Sequence, residues 1–194
     1  MSLSKKYAKS KDLKWSLRFR ISHPEGDYVN GVVLHNARNF TVTREMIHFD
    51  FDGIVILPKR IMKGCRDGKF ERCCNRILQF SGSTKKARLP KWLCRCNSMP
   101  EIVRLLMERQ IWPSVEIVYG LDGKIETDFF IGPITQISDD KFRIHDCEAT
   151  GRWGYERFIH FDEIFKIEFD DRYSSAFNEF MRSIEHPSPT RYGI

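Results

Sequence analysis

The chain has 194 residues, enough for one large domain or two small ones, and its 41% hydrophobic content with 15 Phe allows a buried core rather than disorder throughout. No run reaches the roughly 18 apolar residues of a membrane-spanning helix, and the Lys-rich start from Met1 to Leu17 lacks the apolar stretch of a secretory signal. The net charge of +6 conceals a division: residues 1–96 hold 21 Lys+Arg against 8 Asp+Glu (+13), residues 97–120 hold 2 against 3 (−1), and residues 121–194 hold 9 against 15 (−6).

Trp15, Leu17, Phe19 and Ile21 alternate with Ser16, Arg18 and Arg20, the period of a half-buried strand whose outer side is basic. His23 to Asp27 is turn chemistry. Tyr28–Leu34 reads as a second strand, with Gly31 a bulge or a point of close backbone approach. A turn at Asn36–Asn39 leads to a β-branched strand from Phe40 to Thr43. Asp52-Gly53 reads as a hairpin turn before Ile54–Leu57, and a short Ile61-Met62 segment completes five strands. The period then changes. Phe70, Cys73, Cys74, Ile77 and Leu78 mark the apolar stripe of a helix that Gly82 ends. Residues 81–91 have the composition of an exposed basic linker. Ser98 as cap, Pro100 in the first turn and Glu101 start a second helix that runs to about Gln110 on Ile102, Leu105 and Leu106.

From Val115 the plan recurs. Val115, Ile117 and Tyr119 alternate, and Leu121 to Lys124 turns. Phe129–Ile134 echoes Tyr28–Val33, Lys141–Ile144 echoes Asn39–Val42, and Gly154 with Tyr155–Phe161 echoes Gly53 with Ile54–Arg60. Ile164 answers Ile61, Phe165–Phe169 makes a last strand, and Tyr173, Phe177, Phe180 and Met181 repeat the helical stripe. The reading is a duplicated five-strand unit: a first copy with closing helix at 15–80, a basic linker and helix at 81–114, a second copy with closing helix at 115–182, and a flexible tail at 183–194.

These strand lengths, the early glycine of strand two and the Ile-rich closing strand resemble small SH3-like barrels of the Sm-like type. The stretches Phe129-Phe130-Ile131-Gly132-Pro133-Ile134, Gly151-Arg152-Trp153-Gly154, Phe158 to Ile164 and Ile167 to Tyr173 resemble uncharacterised bacterial proteins with such repeats and no established activity. The resemblance covers residues 15–80 and 115–181 and implies a mainly β fold with a few helices: two tandem five-stranded barrels, each followed by a short helix, plus a linker helix. Sm proteins imply RNA binding through an Asp…Asn pair near the strand-two/strand-three loop. Here the corresponding positions are Asn36…Thr41 and Asp139…Arg143, so that pattern is absent from both copies.

Asp50-Phe51-Asp52-Gly53 resembles the Asp-x-Asp-Gly signature of haloacid-dehalogenase-type phosphotransferases, with Asp170-Asp171 as a magnesium-holding pair. That chemistry needs the first Asp at the end of a buried parallel strand, whereas the surroundings read as antiparallel. Cys65, Cys73, Cys74, Cys94, Cys96 and Cys147 read as free thiols of a reducing cytoplasm. Cys94-Arg95-Cys96, joined by Cys65 or Cys73, is a poor match to zinc spacing. His145-Asp146 and His160-Phe161-Asp162 lack a converging third partner. No metal or cofactor site is expected, and no small-molecule substrate is evident. The basic set comprises Arg18, Arg20, Lys59, Arg60, Lys63, Lys85, Lys86, Arg88 and Lys91, with Trp15 and Trp92 near for base stacking. The expectation is a non-enzymatic binding or assembly module that engages a protein partner or itself. RNA or DNA binding through the basic half is the first alternative, and a phosphotransferase the second.

Overall fold

The period-two segments become strands that pair antiparallel with their neighbours. In the computed structural model, which describes residues 2–22, 28–121 and 124–184, the first half contains β1 (Leu17–Ile21), β2 (Tyr28–Asn36), β3 (Phe40–Ile47), β4 (Asp50–Pro58) and β5 (Met62–Arg66). A helix precedes them, α1 (Leu3–Leu13), and another follows, α2 (Lys69–Phe80). After α3 (Met99–Glu108) come β6 (Ser114–Leu121), β7 (Lys124–Ile131), β8 (Ile134–Ile137), β9 (Lys141–Glu148), β10 (Arg152–His160), β11 (Ile164–Phe169) and α4 (Arg172–Ser183). The fold is mainly β, as the alternation indicates. The strands form an eight-stranded sheet in the order β5-β1-β2-β3-β4-β11-β6-β7 and a three-stranded sheet β10-β9-β8, and neither closes into a barrel.

β4 is why the large sheet spans both halves. Its run Ile54-Val55-Ile56-Leu57 is buried on both faces: Ile54 and Ile56 join a core lined by α2 and α3, while Val55 and Leu57 join one beneath Tyr7 of α1. The free edge of β4 accepts β11 in antiparallel register, Ile56 opposite Ile167 and Ile54 opposite Phe169. The larger core therefore runs through both halves, from Val42 and Leu78 to Phe142 and Ile159. Gly31 works as a close-approach point, since a Cβ there would lie 2.5 Å from the Arg44 carbonyl oxygen. Gly132 stands in the same relation to His145, thirteen residues on in each case, and its backbone is left-handed (φ 153°). At Gly132-Pro133 the chain leaves the large sheet as β7 and enters the small one as β8.

Three expectations need correction, and one element was not anticipated. The Lys-rich start holds α1, whose Ser10 hydroxyl accepts from Val33 N–H (2.8 Å) and donates to the Trp15 carbonyl (2.6 Å). Asp52-Gly53 lies within β4; the hairpin turns earlier, at His48 and Phe49, both left-handed (φ 48° and 64°). Residues 81–91 are not a free linker, because Ala87 is fully buried and Leu93 just beyond is too, each anchoring a short 3-10 turn to the core. The third concerns α2 and α4, whose predicted apolar stripes are only partly inside: Cys74, Leu78 and Met181 are buried, whereas Phe70, Cys73, Tyr173 and Phe180 are exposed. The expected turn at His23–Asp27, Asp122-Gly123 of the second turn and residues 185–194 of the expected tail lie outside the described residues.

Around the β4–β11 junction lies a group of half-buried charges. The Lys166 ammonium sits 2.9 Å from Glu168, two residues along β11, and 3.4 Å from Glu116 on neighbouring β6. Burial, and then Glu168, push the Glu45 carboxyl up to about 8; Lys166 opposes this and Asp52 adds to it. The folded chain thus retains a proton that the unfolded chain releases near the ordinary value of 4.5. Stability is then greatest at the acid end of this window and falls as pH rises toward 8, by on the order of 1 kcal/mol per pH unit. Glu45→Gln keeps a donor for Glu168 and should flatten this slope in denaturant titrations at several pH values; an unchanged slope would show that Glu45 ionises normally in the fold.

Candidate interaction surface

The exposure of half of the α2 stripe has an identifiable cause. Asn75 lies inside, where its Oδ1 accepts from Ser16 N–H (2.6 Å) and its Nδ2 donates to the carbonyls of Ser16 (3.1 Å) and Glu71 (2.7 Å). Glu71, 1% exposed, accepts from Gly68 N–H (2.6 Å) and from Arg66 (3.0 Å), with Arg18 at 3.4 Å. Burial pushes the Glu71 pKa up, but these donors outweigh it and hold the carboxyl below its ordinary value. At 100° per residue, the buried face defined by Glu71, Cys74, Asn75 and Leu78 is turned roughly a quarter-circle from the centre of the apolar stripe.

The remainder of that stripe faces out. Phe70, Cys73, Ile77 and Phe80 recur at helical spacing; Ile77 is half-buried, Phe70 and Cys73 are exposed, and Phe80 is 95% exposed. Phe49, at the β3–β4 hairpin tip, packs its ring 6.4 Å from Phe70 and lengthens the strip. The Arg18 guanidinium lies between Phe70 (4.8 Å) and Tyr28 (5.5 Å), its Nε also donating to Asn30 (2.9 Å). Lys69, Arg72 and Arg76 are exposed along one flank of the helix, whose only acid is the buried Glu71. The result is an apolar, aromatic strip with a cationic border.

The nine basic residues predicted as a site do not converge on one place. Arg18 is held as just described. Lys59 donates to Asn36 with its ammonium 5.1 Å from the Tyr7 ring, and Arg60 donates to the carbonyls of Asp162 (2.5 Å) and Ile164 across the junction. Lys86 pairs with Asp50 (2.8 Å), and Arg88 donates to the Lys85 carbonyl (3.0 Å). Arg20 and Lys63 are exposed on β1 and β5, Lys85 and Lys91 on the segment between α2 and α3. Both tryptophans considered for stacking are engaged: Trp15 donates to Asp67 (3.1 Å) under Lys9, and Trp92 packs 5.7 Å from Phe169.

The other motifs are placed as follows. Asp50 opens an antiparallel strand, not the end of a parallel one, and Lys86 holds its carboxyl below the usual range. Asp52 accepts from Arg172 N–H (2.9 Å). Among the described residues no group of three or more His, Cys, Asp and Glu could hold a metal ion. Cys74, Cys96 and Cys147 are buried, and burial first of all pushes the Cys147 thiol up to about 12. The His145 Nε2–H donates to the Gly154 carbonyl (3.1 Å), and His160 lies 3.5 Å from Asp140 rather than pairing with Asp162. No helix among the described residues is long and apolar enough to cross a membrane. No family model, curated protein or solved structure matches this chain.

Removing the Asn75 amide leaves the buried peptide groups of Ser16 without their partner. Asn75→Ala should cost roughly 2–5 kcal/mol in chemical denaturation, whereas Phe80→Ser should change stability by no more than about 0.5 kcal/mol. A loss below about 1 kcal/mol for Asn75→Ala would mean that something else orients α2.

Proposed function

We propose that this chain is a non-enzymatic binding module that engages a protein partner through the outer face of α2 together with Phe49. The single observation carrying this reading is that buried polar contacts hold Phe70, Cys73, Ile77 and Phe80 on the outside, where solvation alone disfavours them. The exposed cations Lys69, Arg72 and Arg76 select the partner's chemistry: an amphipathic segment with apolar anchors and carboxylates alongside. The basic half then serves a protein surface. Nucleic-acid binding is less well supported, since five of the nine predicted cations hold intramolecular contacts.

The scaffold for this surface is, in our reading, a pair of Sm-like units that share one seam. Two observations support it. The first-half order β5-β1-β2-β3-β4 is matched by β11-β6-β7 continuing through β8 into β9 and β10, and Gly31 and Gly132 meet equivalent carbonyls. In the second unit the closing helix is α4, whose Tyr173 and Phe177 stack face to face (6.1 Å, 3°).

A display selection of random helical peptides against the purified chain tests the binding reading. Enriched sequences should carry apolar residues at helical spacing beside Asp or Glu, and Phe70→Ser/Phe80→Ser should weaken them by about tenfold or more. Lys85→Glu/Lys91→Glu should leave them unchanged. Peptides that lack acids or ignore the Phe substitutions would overturn the reading. So would tight low-salt binding of single-stranded RNA that depends on Lys85 and Lys91.

A further inference from the structure

Sharing no residue with the α2 surface, a cleft of about 520 Å³ opens where the end of α3, the start of β8 and α4 meet. That is within the range of small-ligand sites. Met107, Ile111, Trp112 and Ile134 supply apolar walls, and Gln110 and Arg182 the polar groups. The arginine is positioned before any ligand arrives. Its guanidinium lies 4.5 Å from the centre of the Trp112 ring, and one Nη2 donates to the Gln110 carbonyl (2.7 Å). Trp112 is itself fixed, its ring edge-on to Trp153 (5.7 Å) and its carbonyl accepting from Asn178 (2.9 Å).

Three features make this a site for an anion. A guanidinium has five N–H donors, and the Gln110 carbonyl takes one Nη2 donor. No ion pair among the described residues involves Arg182. No carboxylate is among the lining residues, and Glu156, to which the lining Thr135 hydroxyl donates (3.1 Å), is paired with Arg143 (2.8 Å). The last carbonyls of α3 also do not repel a negative ligand freely: Leu105, Leu106 and Met107 are capped by the N–H groups of Arg109, Ile111 and Gln110. That cap sets Gln110 in the left-handed region (φ 54°), a conformation that a non-glycine residue adopts at a cost and that places it at the mouth of the cleft.

We infer that the cleft binds a small organic monoanion, a carboxylate on an apolar body, with the carboxylate on Arg182 and the body against Ile111, Ile134 and Met107. Phenylpropionate and its neutral counterpart phenylpropanol serve as probes, titrated into isotope-labelled full chain while the tryptophan indole N–H resonances are followed. Phenylpropionate should shift the Trp112 resonance saturably, and phenylpropanol should bind more weakly by about tenfold. Arg182→Gln should abolish that preference. Because this change also frees the Gln110 turn, Ile134→Trp provides a second variant that fills the cleft without touching the arginine, and it should eliminate the shift. Equal binding of acid and alcohol, no saturable shift at millimolar phenylpropionate, or an unchanged shift in Ile134→Trp would each overturn the assignment.

Discussion

One side-chain amide determines which way the first half of this molecule faces. Asn75 satisfies both peptide groups of Ser16 at the entrance to β1, where both residues are buried. Turning α2 so that Phe70 and Phe80 were inside would gain roughly 2–3 kcal/mol for each ring. It would also strip partners from two buried backbone groups and from the Glu71 carboxylate, at about 1–3 kcal/mol for each neutral group and more for the charge. The polar side of that balance is the larger. The helix therefore docks on Cys74 and Leu78, with Glu71 and Asn75 beside them, and its aromatic residues remain in solvent.

The second constraint is the antiparallel seam between β4 and β11. It joins a +13 region to a −6 region, and several contacts across it use that difference. Arg44 pairs with Asp170 (2.7 Å) and Arg60 reaches the carbonyls that precede and begin β11, while Arg172 and Asp52 (3.5 Å) pair in the opposite sense. Part of the basic field is thus spent within the chain. What stays exposed beside the apolar strip is the cationic flank of α2, Lys69, Arg72 and Arg76.

Strand positions were legible because alternation is a local property. Leu17, Phe19 and Ile21 face the core while Arg18 and Arg20 do not, as their spacing indicates. The α3 cap was equally plain: the Ser98 hydroxyl accepts from Glu101 N–H (3.4 Å). Features decided by distant contacts were not legible. α1 buries only Tyr7 and Ser10, too few positions to show a period. Asp52-Gly53 has turn chemistry, yet pairing with β3 and β11 draws it into a strand, and the turn falls on His48-Phe49 without a glycine. For α2 the apolar positions alone pointed to the wrong face. Glu71 and Asn75 are one turn apart on the true inner face, but their meaning depends on Ser16, 59 residues away from Asn75. The cleft beside Trp112 joins residues from three elements and has no sequence signature.

The orientation of α2 can be read directly from two adjacent thiols. Cys73 is exposed and Cys74 is fully buried, its thiol pushed up first by that burial. Alkylation of the native protein followed by mass spectrometry should label Cys73 at a rate near that of a free cysteine, while Cys74 reacts only when the chain unfolds. Protection of both thiols, or labelling of Cys74 at the rate of Cys73, would contradict an α2 oriented by Asn75 and with it the proposed binding face.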